Sequence, residues 1–406
     1  MPRRKPAATR AYAWDFKARF RRRAFGWRSQ PAIQRVKQAV GEIKRVARKD
    51  RLLAAEGAVS FLERVSPALE QVDSSSGAIG TAVNHAIAEL VPIIAGAPAD
   101  TLTRDAWLER LYDAHAADVI PYIEWLADHW GELCGSPATA SAWADRLIDT
   151  TRLALSPDPN VRGHYHGISM CLSALYRAER YEEIVGLVEA GRIWPYKQWA
   201  VRALAAMGQP DEAIRYAESC RDPWTADGAV DATCETILLA CGRSDEAYAR
   251  YALTANRQGT YLATFRTVAR KYPEHSADRI LADLVATTPG EDGKWFAAAN
   301  DAGLYHEALA LARRTPCDPK TLTRAARDLA GERPAFAVEA GLLALHWLVE
   351  GHGYEITGAD VWAAYQHTMR AAERHGSVAE TAARVNALVA RDAPGGFVAR
   401  ILGSVI

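Results

Sequence analysis

Four stretches of the chain repeat one plan: ALYRAERYEEIVGLVE from Ala174, ALAAMGQPDEAIRYAE from Ala203, LLACGRSDEAYARYA from Leu238 and AAANDAGLYHEALALA from Ala297. Each reads as a helix ending in small residues, a Gly or polar turn, and an acidic residue that opens a second helix. The acidic landmarks Glu183, Glu212, Glu246 and Glu307 lie 29, 34 and 61 residues apart. The last gap is about two periods, and the degenerate SADRILADL from Ser276 falls in its middle. A two-helix unit repeating every ~30–34 residues constrains the fold strongly, because each hairpin exposes an apolar side that only the next can cover. Gly208, Gly242 and Gly303 stand where the first helix needs a left-handed C-cap. Asp211 and Asp245 stand near the start of the second, where a short acidic side chain meets orphan N–H groups and the helix dipole.

Over about residues 162–316 this pattern resembles the tetratricopeptide repeat. The resemblance implies an all-α fold, an α-solenoid of TPR-like helix hairpins whose concave face takes a protein partner or a peptide. The whole chain also resembles an uncharacterised bacterial family of all-helical proteins, through RRRAFGW, EIKRVARKD, EQVDSSSGAIGTAVN, TPGEDGKWFAAANDAGL and GYEITGADVWAAYQHTMRAAER. That resemblance supports the helical reading and implies no catalytic residue.

The remaining sequence agrees with this class. Hydrophobic residues make up 49 % of the 406 and charged residues 24 %, an ordinary balance for a folded protein with a large core. Period-2 runs of β-branched residues are nearly missing, so no strand is expected. Residues 31–96 predict three helices, with QVDSSSGAIG breaking the last two and its polar cluster at 73–76 placed to cap the third. Residues 98–156 predict three more. LTRAARDLAGE, FAVEAGLLALHWLVEG, VWAAYQHTMRAAERHG and VAETAARVNALVARD predict four further helices, the last polar on one side as a terminal cap must be. The expected organisation is a basic aromatic arm (1–30), an N-terminal helical region (31–161), TPR-like repeats (162–316) and a C-terminal helical region (317–406). No apolar run is read as approaching the roughly 18–20 residues of a bilayer span. The basic N-terminus lacks the apolar stretch of a secretory signal. The six cysteines form no CxxC pair and are read as reduced, buried side chains, which points to the cytoplasm.

Motifs that carry chemistry are sparse. GxGxxG, GxxxxGK[ST], GxSxG and HExxH are all missing, and YHEALA at Tyr305 lacks a second His, which leaves Glu307 as the repeat landmark. The chain is therefore read as a non-enzymatic binding or scaffolding protein with no catalytic residue, no cofactor and no metal. An enzyme with a site assembled from dispersed residues is the most distant alternative. Two clusters hold titratable groups. His164 and His166 in GHYHG share a face only in extended backbone, where two imidazoles can bind a metal; they are read as structural histidines. In YIEWLADHW, Glu124 and Asp128 are i,i+4 beside His129 and can divide acid and base roles. They are read as a solvated face flanking buried Trp125 and Leu126. The tryptophans are scattered, as packing side chains are.

Charge is unevenly placed. The net charge is zero, yet residues 1–51 hold 17 Lys and Arg against 3 Asp and Glu, a balance of +14 offset by −14 in the remainder. FKARFRRRAFGWRSQ, residues 16–30, interleaves aromatic and cationic side chains, which serve stacking and phosphate contact in a single-strand nucleic-acid groove. A helix from about residue 31 to 48 follows. It carries Ile33, Val36, Val40, Ile43 and Ala47 on one face and Lys37, Lys44, Arg45, Arg48 and Lys49 on another. The candidate RNA- or DNA-binding set is Arg19, Arg21, Arg22, Arg23, Trp27, Arg28, Lys37, Lys44, Arg45 and Arg48. The alternative is a head docked on the chain's own acidic body, which leaves a protein- or peptide-binding adaptor; anionic lipid is a third partner for such a segment. Arg266, Arg270 and Lys271 in NRQGTYLATFRTVARKY are either groove cations or partners of acidic neighbours.

Overall fold

The computed structural model describes residues 12–158, 160–191, 193–223, 225, 227–392 and 396–403. Among the described residues every regular element is helical and no strand occurs, as the periodicity predicts. The chain divides into two compact units, Met1–Thr225 and Ala226–Ile406. The division falls between the second and third of the four repeated stretches.

Unit 1 opens with α1 (Asp15–Arg19), α2 (Ser29–Ala47), α3 (Arg51–Leu69) and α4 (Ala78–Ala95). The Asp50 carboxylate caps α3 by accepting the Leu53 N–H at 2.9 Å. At the start of α4 the N-cap residue is Gly77, at φ 69°. The polar cluster reaches this end through Ser76, whose Oγ accepts the Ala78 N–H at 3.4 Å, while Asp73 folds the preceding turn by accepting the Ser75 N–H at 3.0 Å. By length and composition α4 is long and apolar enough to cross a membrane, 18 residues with a mean hydropathy of 1.5, which corrects the sequence reading of its run. Its Ile79, Val83, Ile87, Leu90 and Ile94 are buried, and it packs on α2 and α3.

There follow α5 (Thr101–Ala116), a 3₁₀ segment (Glu124–His129), α6 (Trp130–Leu133), α7 (Pro137–Ala154), α8 (Ile168–Arg177), α9 (Tyr181–Val188), α10 (Trp194–Ala206) and α11 (Pro210–Ser219). Buried Arg104 on α5 donates to the carbonyls of Ile94 at 2.6 Å and Ala97 at 2.9 Å, placing a cation at the C-terminal end of α4.

Unit 2 comprises α12 (Asp227–Ala240), α13 (Ser244–Ala247), a π segment (Tyr248–Ala252), α14 (Leu253–Ala255), α15 (Tyr261–Lys271), α16 (Ala277–Ala286), a 3₁₀ segment (Asp292–Trp295), α17 (Phe296–Asp301) and α18 (Tyr305–Arg314). It continues with α19 (Pro319–Leu329), α20 (Pro334–Val349), α21 (Gly358–His375), α22 (Val378–Val389) and α23 (Phe397–Leu402). The four helices expected at the C-terminal end are α19 to α22, and α23 is a further short one.

One turn joins the helices of each repeated stretch. The residue at the head of the second helix sends its N–H back to the carbonyl five residues earlier: Arg180 to Leu175, Gln209 to Leu204, Arg243 to Leu238 and Leu304 to Ala299, at 2.9–3.0 Å. The residue before it is left-handed, with φ 78° at Gly208, 72° at Gly242, 74° at Gly303 and 60° at Glu179. This is the Schellman closure, and it recurs at the intervals of the acidic landmarks. The N-cap positions Gln209 and Arg243 have no side-chain cap; Asp211 and Asp245 stand in the first turn, where their charge meets the dipole. In the long gap α15 and α16 are joined by a longer turn, consistent with the degenerate sequence there.

Candidate functional site

The described part of the arm starts at exposed Tyr12 and then turns three rings inward. Trp14, Phe16 and Phe20 are buried, and Phe16 and Phe20 meet Phe61 of α3 edge-on at 5.6 and 5.0 Å. The Trp14 indole lies so close to Gly57 that a Cβ there would stand 2.2 Å from its Cζ2. Buried Glu42 of α2 accepts the Asp15 N–H at 2.9 Å and the Phe16 N–H at 3.3 Å, a carboxylate at the start of α1. Arg22 and Arg23 grip Glu70 at 2.9 and 2.8 Å and hold its carboxyl below the usual range. These aromatics are therefore core residues rather than stacking surfaces. Trp27 is different: it is 72 % exposed, with Arg21 and Arg28 also at the surface. Residues 1–11 of the expected arm lie outside the described residues.

The two faces expected of α2 are present. Ile33, Val36, Val40 and Ile43 are buried, while Lys37, Lys44, Arg45, Arg48 and Lys49 are exposed. The exposed side is flanked by two grooves. One, of about 680 Å³, runs along α1 past Arg19, Arg35 and Arg45. The other, of about 550 Å³, runs along α4 past Lys37, Lys44, Arg45 and Arg48. Lys44 pairs with Glu89 of α4, and Arg19 with Gln38 at 3.2 Å. Among the described residues no carboxylate pairs with Lys37, Arg45 or Arg48.

The candidate groove cations of unit 2 are mostly engaged. Arg266 binds Asp301 through both nitrogens, Nε at 2.9 Å. Lys271 reaches fully buried Glu235, which also accepts from Tyr272 Oη at 2.5 Å and Asn256 Nδ2 at 2.6 Å. That network satisfies a buried charge, and the pairing alternative describes both residues. Arg270 remains exposed.

A cleft of about 1420 Å³ in unit 1 brings together both titratable clusters singled out in the sequence. One wall is the 3₁₀ segment, carrying Glu124, Trp125, Asp128 and His129. The opposite wall comes from α8, α9 and the start of α10, with Tyr176, Glu179, Tyr181, Tyr196 and Trp199. His164 and His166 enter from the irregular segment before α8, where non-helical backbone lets both line the cleft. Ser173 locks the walls, its Oγ accepting the Gly131 N–H at 2.9 Å and donating to the Asp128 carbonyl at 2.8 Å. Gly131 is required for this approach, since a Cβ there would lie 2.3 Å from the Ser173 carbonyl oxygen. Trp125 is 55 % exposed, against the expectation that it is buried. Tyr176, Tyr181 and Trp199 form an aromatic row with ring spacings of 5.4 and 5.8 Å.

Three nitrogens of this lining have no hydrogen-bond partner: His115 Nδ1, His166 Nε2 and Trp199 Nε1. Burial pushes the His115 imidazole below its ordinary value, and burial with the neighbouring His164 does the same for His166. Tyr196 is pushed up, by burial first and then by the carboxylates of Glu124 and Asp128. The cleft thus combines neutral imidazoles, aromatic faces and uncompensated negative charge. Among the described residues no three His, Cys, Asp or Glu side chains converge as metal ligands.

No protein-family model matches the chain, and no curated protein matches it.

Proposed function

We propose that the chain is a non-enzymatic binding protein, a cytoplasmic α-solenoid of TPR-like hairpins that holds an extended peptide in the cleft of unit 1. One observation carries the reading: a cleft of about 1420 Å³ whose lining joins aromatic faces to polar atoms without partners. It exceeds the ~300–1,000 Å³ of ordinary small-molecule sites and suits a longer ligand. The recurring Schellman turns support the repeat assignment, and the burial of four of the six cysteines supports a reducing compartment. Random decapeptides displayed on phage are expected to enrich on the full chain and to lose that enrichment on Trp125→Ala, whose ring is mostly outside the core. Failure of any peptide to enrich on the unaltered chain overturns the reading.

A separate observation favours a second activity. Lys37, Arg45 and Arg48 face solvent unpaired between two grooves, the arrangement a phosphate backbone needs. This face holds RNA or DNA, without base readout. Fluorescence anisotropy with labelled single- and double-stranded oligonucleotides tests it at about 0.1 M salt, where the Debye length is about 10 Å. Reversing Lys37, Arg45 and Arg48 to Glu is expected to weaken binding and to flatten the salt slope by about 0.7–0.9 per lost phosphate contact. Binding unaffected by the triple reversal, or no binding at all, defeats this activity.

A further inference from the structure

We propose that the segment taken by the unit 1 cleft is a basic peptide, its Lys or Arg side chain seated against Glu124 and Asp128 beside Tyr196 and Trp125. The proposal rests on the peptide reading above and adds the ligand's charge. Five carboxylates and two guanidinium groups line the cleft, a formal charge of −3 with the histidines neutral. Two of the five are already engaged. Asp118 accepts from the Ile123 N–H at 2.8 Å and from Ser66, and Glu132 meets His129 at 3.4 Å. Among the described residues no cation pairs with Glu124, Asp128 or Glu179. Burial first, and then the field of Glu124 and Asp128, pushes the Tyr196 phenol up.

The aromatic lining suits the same ligand. A cation over an indole or phenol face is attracted by the negative face of the ring. The protein itself sets one such pair on this wall, with the Arg202 guanidinium 5.0 Å from the Trp199 ring centroid.

A second, independent observation points to a peptide main chain. His115 is 8 % exposed, and its Nε2 lies 3.4 Å from the Glu124 carbonyl oxygen. A carbonyl only accepts, so Nε2 carries the proton and Nδ1 is an acceptor without a donor. Trp199 is 4 % exposed, and its Nε1–H is a donor without an acceptor. A peptide group supplies one N–H and one C=O, the complement of both. Both residues line the cleft, and both nitrogens are covered in this structure. A phosphate-rich ligand is disfavoured by the same charge, which assigns the cleft and the cationic face of α2 to partners of opposite sign.

The test uses the full chain and the decapeptides recovered from the random library. They are expected to be rich in Lys and Arg. Each is then titrated against the unaltered chain and against Glu124→Gln with Asp128→Asn, both exposed positions. The double variant is expected to bind about 5–30-fold more weakly, as two partly exposed charge contacts of about 0.5–1 kcal/mol each imply, with its thermal midpoint unchanged. Replacing Lys or Arg by Gln in the peptide is expected to give a loss of the same size. Peptides that enrich without basic bias, or that bind the double variant as well as the unaltered chain, overturn the inference while Trp125→Ala sensitivity keeps the peptide reading. No enrichment at all overturns both.

Discussion

Glu179 is where a local rule gives way. The equivalent turns use Gly208, Gly242 and Gly303 in the left-handed region, and Glu179 takes the same conformation at φ 60°. A residue with a Cβ held there costs about 1–2 kcal/mol. Glu179 also lines the cleft, so its carboxylate is placed at the cost of the turn. Glu179→Gly is expected to raise the thermal midpoint by about 1–3 °C, the strain relief being partly offset by a looser unfolded chain, and to weaken peptide binding. A midpoint that falls, read by circular dichroism, contradicts the strain argument.

His115 supplies a second residue-level test. Its folded pKa lies below the ordinary 6.5, chiefly through burial, with the hydrogen bond to the Glu124 carbonyl opposing, His166 lowering it further, and Asp118 and Asp128 also opposing. The unfolded chain therefore binds the proton first. Stability is fully present above about pH 6.5 and is lost as pH falls from there toward the folded value, by at most about 1.4 kcal/mol per pH unit for one histidine. Melts at several pH values between 7.5 and 5 are expected to show a falling midpoint. His115→Gln is expected to start lower and fall less steeply; equal slopes would remove His115 as the source.

At the scale of elements, the arm behaves as part of the core and α2 as a two-faced helix. Phe20 is 1 % exposed against Phe61, so Phe20→Ala is expected to cost about 3–5 kcal/mol in urea unfolding. Trp27→Ala, at an exposed site, is expected to stay within about 0.5 kcal/mol. The reverse order would place Trp27 rather than Phe20 in the core. The α2 faces were legible because nineteen residues at 100° each leave little choice of inside and outside. The arm was not, because α1 has five residues, and what turns its rings inward is the seat at Gly57 and the facing Phe61, far along the chain. The same limit applies to Trp125. The segment winds as a 3₁₀ helix, about 120° per residue rather than 100°, so the α-helical wheel that buries Trp125 beside Leu126 does not apply. The turns were legible to within a residue, because a Schellman closure needs a left-handed residue and glycine marks it.

The cleft belongs to the whole of unit 1, and no window of sequence contains it. Its walls draw on residues from His115 to Arg202, four stretches that meet only when α8 packs on α6 and the 3₁₀ segment and α10 packs on α8 and α9. GHYHG and YIEWLADHW each look bland because neither holds a partner set, and their meaning lies in facing one another. All the lining lies within Met1–Thr225, a compact unit with its own buried core. Residues 1–225 produced alone are therefore expected to fold with a cooperative, helix-dominated melt and to bind the selected decapeptides within about threefold of the full chain, a difference of about 0.65 kcal/mol. Circular dichroism and anisotropy read the two outcomes separately. A fragment that folds but does not bind would move the site, or part of it, into residues 226–406. A fragment without a cooperative melt would mean that the core of unit 1 is completed by the rest of the chain.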